Sequence, residues 1–370
     1  MTLRRLARLA SLATLCLLPF AVYAEETLHL PAEASAGPMR PLVIHAALDL
    51  PQARPLLEDF HRRHPQIDLT YRNLTTLALH ERFLERPDEA DVMISSAMPW
   101  QFALANEGHA RPLGGPILDA WPAWARWRDE LVAFTFEPIV MVVHRDLAEL
   151  AEPPRNHAEL LALLNGHRQA LAGRVASYDP VRSGAGYGYA MEESRLSPRY
   201  WDLVAALGAA EAELVETTGA MLDGLVEGRF LIGYNLLGSY AAPIVEANPQ
   251  LELVIPDDYA LVTQRLAFVP RRAPHPDTAT LFVDYLLSVE GQRTLAERTS
   301  LGAIHPGLDG PGTAAELRGR LGDALRPPGL GPGLLAALDR LKRRALLARW
   351  QREFRRDPGD ADSAAAPAAD

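Results

Sequence analysis

The run Ser177-Tyr178-Asp179-Pro180-Val181-Arg182-Ser183-Gly184-Ala185-Gly186-Tyr187 sets a serine between an arginine and a glycine-rich helix start. Arg174-Val175-Ala176 before it reads as the end of a strand, and Tyr189 to Glu193 after it reads as helix. The first N–H groups of a helix have no partner inside it, and the helix dipole favours negative charge there. Arg182 adds a planar cationic fork beside the same spot, so the segment describes a cradle for a small anion. The same residues also describe an ordinary N-cap serine on a βα turn.

The elements that must position such a cradle alternate along the chain. Leu42 to Ala47, Ile67 to Tyr71 and Asp91 to Ser95 read as strands; Ala53 to His64, Leu77 to Leu84 and Pro99 to Asn106 read as helices between them. This pattern implies βαβ units and a parallel sheet. It breaks over the tryptophan-rich stretch 121–130. The extended run Ala133 to Val143 is then long enough to leave one sheet and enter another. A second series follows, with strands at 175–178, 213–216, 230–235 and 251–255 and helices at 199–207 and 219–227. Leu261 to Val269 reads as a return crossing. Two α/β lobes joined by two crossings form a cleft with a hinge at its base. Ligands of open α/β sheets bind at the carboxyl ends of the strands, which here carry Ser95-Ser96, Ser183-Gly184, and Tyr234-Asn235 with Ser239-Tyr240.

Composition narrows the function further. Arg4, Arg5 and Arg8, an apolar run from Leu9 to Phe20, and Ala21-Val22-Tyr23-Ala24 before Glu25 read as a secretory signal peptide over residues 1–24, cut after Ala24. The only cysteine, Cys16, lies inside it, and the bulky Leu15 argues against a lipoprotein cleavage box. The exported chain then has no disulfide, cysteine metal site or cysteine nucleophile. Losing the three arginines takes the formal charge from −10 to −13, a poor match to nucleic acid or an anionic membrane. A length of 370 residues fits roughly two domains, and a hydrophobic fraction of 48% fills ordinary cores.

At this point the chain resembles the periplasmic solute-binding proteins of ABC importers, in the two-lobed class that includes ferric-iron and phosphoglycerate binders. The stretches that carry the resemblance are, in order, Asp91-Val92-Met93-Ile94-Ser95-Ser96, Phe136-Glu137-Pro138-Ile139-Val140, Asp179 to Tyr187, Gly233-Tyr234-Asn235 and Arg265-Leu266-Ala267-Phe268-Val269-Pro270, within about residues 40 to 300. The resemblance implies a type II fold with a hinge of crossing strands, and closure of two lobes on one small solute. It also implies contacts from Ser95 and Ser96 on the first lobe and from Arg182, Ser183, Gly184 and Asn235 on the second. Residues 41–136 form the first lobe, 137–258 the second and 259–306 the return. Tyr234, Ser239 and Tyr240 complete the expected ligand set. No cofactor is expected. The partners are a small anionic ligand and an inner-membrane ABC permease or, with the same fold, a sensor histidine kinase; the protein is expected to be a periplasmic monomer.

One departure bears on the ligand. Iron binders of this class carry two adjacent tyrosines, whereas here Asn235 follows Tyr234 and the next tyrosine is Tyr240. An amide cannot replace a phenolate, so an organic or phosphorylated acid fits better than bare iron; iron on Tyr234, Tyr240 and His45 is the alternative. An exported hydrolase would need an activated nucleophile, and Ser183 has no histidine near it in sequence, with His45 as a distant candidate. His61 and His64 could share a helix face, but Arg62 and Arg63 repel a cation there. Trp121, Trp124 and Trp127 read as packing beneath a loop, and Asp257-Asp258 as a solvated strand end.

A helical extension covers 307–356, with a helical patch at 314–325 and a strongly basic helix over Leu334 to Arg356. Leu334, Leu338, Leu341 and Ala345 recur at helical spacing and are expected to clamp it on the acidic body; a partner or membrane surface is the other reading of its basic face. Residues 357–370 are expected to be disordered.

Overall fold

The computed structural model describes residues 26–356. The expected leader and the expected disordered tail lie outside these residues. No described helix is long and apolar enough to cross a membrane.

Two seven-stranded sheets define two lobes. The first runs Glu26–Leu30, Ile67–Asn73, Arg40–Ala47, Val92–Ser95, Leu266–Phe268, Leu131–Ala133 and Arg126–Trp127 in spatial order. Its centre is parallel: Leu42 sits beside Leu69, and Ala47 beside Ser95. Helices Leu50–Arg63, Thr76–Glu85 and Met98–Asn106 connect these strands, and their carboxyl ends therefore fall along one edge. The second sheet runs Leu325–Arg326, Ala260–Thr263, Glu137–His144, Ile232–Leu237, Val175–Tyr178 and Glu213–Val215, with Leu251–Val254 also paired to Glu137–His144.

The chain crosses between the sheets twice. Residues 134–136 carry it out of the first sheet, and Gln264 and Arg265 carry it back. The crossings are hydrogen-bonded to one another: Phe134 N–H donates to the Arg265 carbonyl at 3.1 Å, and Arg265 N–H donates to Thr135 Oγ1 at 2.8 Å. The fold is the two-lobed periplasmic-binding-protein architecture with a hinge of crossing strands. The tryptophan stretch packs as expected: Trp121 is buried and donates to the Ala133 carbonyl, while Trp124 and Trp127 cover the first-lobe core.

The C-terminal extension departs from its expected form. The chain makes a 3-10 turn over Pro332–Leu338, breaks at Asp339, and forms a helix over Arg340–Phe354. The Asp339 carboxylate accepts from Leu341 N–H and Lys342 N–H, so it caps a new helix inside the expected one. The leucine stripe does not dock as one face: Leu334 is buried in the first-lobe core, but Leu341 is 74% exposed. Leu346, Trp350 and Phe354 pack instead on Tyr200, Trp201 and Val204 of the second lobe. Aromatic rings bury more area than leucines and dictate which face turns inward.

Candidate functional site

On the first lobe, the edge is made by the residues that leave the parallel strands. Ser95 is buried, and its Oγ accepts from Ala97 N–H at 3.1 Å, turning the chain into helix Met98–Asn106. The Ser96 carbonyl takes Met98 N–H. Asp49 precedes helix Leu50–Arg63, and its carboxylate accepts from Asn73 Nδ2 at 3.2 Å.

On the second lobe, Ser183 caps helix Gly184–Leu196, its Oγ accepting from Gly186 N–H at 3.2 Å. Gly186 has a packing reason: a Cβ there would sit 2.6 Å from Tyr178 Cβ. Gly184 is exposed at the first turn. Arg182 is braced rather than free. Its Nε donates to Asp179 Oδ2 at 2.8 Å, Nη1 lies 3.0 Å from Glu216, and Nη2 reaches the Leu214 carbonyl at 3.3 Å.

Tyr234 and Asn235 share a different partner. Strand Ile232–Leu237 loses its register between Gly233 and Leu236, and Asn235 takes a left-handed φ of 68°. Its Nδ2 donates to Glu193 Oε2 at 2.8 Å, and the Tyr234 hydroxyl donates to Glu193 Oε1. Tyr259 reaches the same carboxylate at 3.3 Å. His157 Nε2 lies 3.4 Å from it, while His157 Nδ1 lies 2.8 Å from Asp258 Oδ1. The imidazole also stacks on Tyr259 at 3.8 Å. Burial by itself would lower the His157 pKa, but hydrogen bonds to Asp258 and Glu193, with their charges, outweigh it and lift it to about 9. Asp257 and Asp258 are both exposed at the strand end as expected, but Asp258 is also a partner in this ionic group.

Between the lobes, at the crossings, stands Arg265. It is 1% exposed, the only arginine so buried among the described residues. Its Nε and Nη2 fork onto Glu137 at 3.1 and 3.3 Å, and Nη1 donates to the Ala47 carbonyl at 2.7 Å. Glu137 also accepts from Thr135 Oγ1 and from the Ser239 hydroxyl. Ser239 opens helix Gly238–Ala247, which lies so close to the neighbouring strand that a Cβ on Gly238 would meet the Pro138 carbonyl at 2.6 Å. Its backbone carbonyl accepts from Gln52 Nε2 of the first lobe at 3.0 Å. Tyr240 follows, with its ring 5.9 Å from the Arg265 guanidinium. Burial pushes its hydroxyl up to about 12, with Arg265 opposing and Asp49 adding to the rise.

The structure therefore brings Ser239 and Tyr240 to the interlobe hinge, on whose first-lobe side Ser95 pairs with Ala47 and Leu266. It sets Arg182, Ser183 and Gly184 at one helix start and gathers Tyr234 and Asn235 around Glu193. Of the two hydroxyls and the imidazole of the iron alternative, the Tyr234 hydroxyl is committed to Glu193 and His45 sits buried on strand Arg40–Ala47. Among the described residues no three acidic, histidine or cysteine side chains are arranged to hold a metal ion. His61 and His64 diverge, His61 to the Pro31 carbonyl and His64 onto the Phe60 ring. Arg265, Glu137, Asp49 and Gln52 were not singled out as site residues in the sequence. The signal that marks the first two is a single charge inside each apolar crossing.

A fold of two lobes meeting at paired crossings, with hydroxyl-bearing strand ends on both sides, defines a bilobal binding protein. The family of bacterial extracellular solute-binding proteins matches residues 51–298, and the chain belongs to it. The substrate-binding protein of an ABC transporter from Agrobacterium tumefaciens is 34% identical, with a TM-score of 0.82 over 90% of this chain and 99% of that one. AfuA from Actinobacillus pleuropneumoniae, solved with fructose-6-phosphate bound, is 17% identical with a TM-score of 0.68 over 85% of this chain and 98% of its own. Iron-bound HitA from Pseudomonas aeruginosa is also 17% identical, with a TM-score of 0.66 over 85% of this chain and 99% of its own. These two share the fold. No curated protein matches the sequence.

Proposed function

We propose that the protein captures a small anionic solute, an organic or phosphorylated acid, between its lobes in the periplasm and delivers it to an ABC permease. The observation that carries this reading is the set of hydroxyls and helix starts that meet at the hinge, where the Arg265–Glu137 pair links Ala47 of one lobe to Ser239 of the other. An anion entering there approaches Ser95 and Ser96 from the first lobe and Ser183, Gly184, Ser239 and Tyr240 from the second, near the starts of two helices whose dipoles favour negative charge. Glu137 and Ala47 occupy the guanidinium, so Arg265 ties the two walls together while the hydroxyls and helix starts face the solute. Arg182, Tyr234 and Asn235 are assigned to shaping the second wall. The commitment of the Tyr234 hydroxyl to Glu193 supports an acid over iron. The 34% identical transporter protein supports delivery to a permease, and the charged start, apolar run and Ala24 of the sequence support export.

The test is a melting-temperature screen with fructose-6-phosphate, 3-phosphoglycerate, citrate, spermidine and ferric ion, since a ligand of the native state raises the midpoint by mass action. A carboxylate or phosphate ester is expected to stabilise, and Ser96→Ala to weaken its binding by roughly tenfold. Stabilisation by spermidine alone would overturn the reading. A coloured ferric complex that bleaches in Tyr234→Phe would replace it with iron.

A further inference from the structure

We infer that the C-terminal extension is a strap without slack between the two lobes, and that it limits how far they open. Its first anchor is the 3-10 turn Pro332–Leu338, which lies on helix Met98–Asn106 and buries Leu334 in the first-lobe core. Its second anchor is helix Arg340–Phe354, which lies on helix Tyr200–Ala209 of the second lobe. There Trp350 is buried and donates Nε1 to the Tyr200 hydroxyl at 3.2 Å, and the Arg349 guanidinium covers the Trp201 ring at 3.9 Å. Contact is close enough that a Cβ on Gly208 would strike the Phe354 carbonyl oxygen at 1.7 Å. Only Asp339 separates the two anchors, and its side chain is already spent capping the second.

A link of one residue cannot lengthen by more than a few ångströms. Rotation of the lobes about the crossings must therefore pivot at Asp339 or release an anchor. The first anchor is the weaker one: it buries Leu334 and Ala337, with Leu335 partly buried beside them, whereas the second adds hydrogen bonds, ring contacts and the Arg356–Asp202 pair at 2.9 Å. Opening beyond the described arrangement is thus coupled to undocking of Pro332–Leu338. Arg343 also lies over the Tyr187 ring at 4.3 Å, so the second anchor touches the helix that Ser183 begins.

The inference rests on the proposed closing of the lobes on a solute, and slack tests it directly. Cys16 is the only cysteine in the sequence, so a Cys16→Ser background accepts nitroxide labels at Glu85→Cys on the first lobe and Glu227→Cys on the second, both exposed. Inserting about ten glycine and serine residues between Leu338 and Asp339 keeps both docking faces but adds roughly 17 Å of flexible span. Without solute, the inserted chain is expected to give a longer mean interlabel distance and a broader distribution than the unaltered one. Trp350→Ala, which frees one end by another route, is expected to do the same. Unchanged distances in both forms overturn the strap. If fructose-6-phosphate raises the melting temperature in those same forms, the solute reading stands without it. Longer distances in the slack form with no response to any solute leave the strap and remove the anion reading.

Discussion

Two ionic groups lie in this molecule and differ in what they join. Arg265 and Glu137 come from the two crossings, and their remaining hydrogen bonds run outward, to Ala47 in one lobe and Ser239 in the other. His157, Glu193 and Asp258 belong to the second lobe alone, and their bonds run inward, to Tyr234, Asn235 and Tyr259. Both groups carry a desolvation cost that is offset only where every lone pair and proton is used. The first satisfies that condition only when the lobes are brought together at the crossings. The second satisfies it within one lobe and fixes the shape of that wall, including the left-handed Asn235. One group is therefore about the relation of the lobes and the other about the form of a surface.

The sharpest way to break this comparison is at the hinge. Arg265→Met leaves Glu137 buried without its cation, and the expected loss is about 3–5 kcal/mol in urea unfolding. Adding Glu137→Leu removes the stranded charge and should recover most of that loss. If the double variant is no more stable than the single one, the cost lies in lost packing and the pair is not what joins the lobes.

The second group differs in that it titrates. The folded pKa of His157 is raised, to about 9, above its ordinary 6.5. Its contribution to stability is then fully present below pH 6.5 and is lost as pH rises through about 9, by up to about 3 kcal/mol. On the acid side the Asp258 carboxyl is held below its ordinary value: burial opposes this, and the hydrogen bond and charge of His157 prevail. Its share is lost as pH falls through the carboxylate range. The guanidinium at the hinge stays charged throughout. Unfolding measured from pH 6 to 10 should slope downward in the native chain, and His157→Gln should flatten it. A slope that survives the substitution would place the titrating group elsewhere.

Asn235 tests whether the second group shapes the wall. A left-handed φ costs an ordinary L-residue about 1 kcal/mol, while glycine adopts it freely. Asn235→Ala loses the Glu193 hydrogen bond and meets that strain, for an expected 1–2 kcal/mol or roughly so. Asn235→Gly loses the bond alone and should fall between alanine and the native residue. Equal midpoints for the two variants would show that the conformation is not under load.

Much of the lobe architecture was legible in the sequence, because a β/α alternation writes itself in short apolar runs. The two crossings were legible as extended runs too long for one sheet. Glu137 and Arg265 lay inside stretches quoted for their resemblance, yet their pairing spans 128 positions and leaves no local trace. His157, Glu193 and Asp258 are equally scattered. Glu193 in particular reads as one more acidic residue on a helix, since helical spacing says which residues share a face but not which neighbour covers that face. The extension was misread for a related reason. Leucine spacing proposed a face, but Trp350 and Phe354 offered more area, and Asp339 offered a cap.

The smallest effect belongs to Arg182, and it marks the limit of the comparison. Its ion pairs with Asp179 and Glu216 have good distances, but its side chain is 56% exposed. Water screens such a pair, and ordering a long side chain opposes it, so exposed pairs contribute about 0–1 kcal/mol. The geometry nevertheless gives Arg182 a place: Asp179 spans Val181 N–H and the guanidinium, which holds the turn that leads to Ser183. Arg182→Ala should therefore leave apo melting almost unchanged, and the small loss should shrink further at high salt. Solute affinity should change less than threefold, because the fork is spent on Asp179 and Glu216 and not offered to the cleft. Apo melting and a titration with the most stabilising acid of the screen decide this on one variant. A ten- to hundredfold loss of affinity with unchanged apo melting would return Arg182 to the ligand and make the helix start at Ser183, in place of the hinge, the centre of the site.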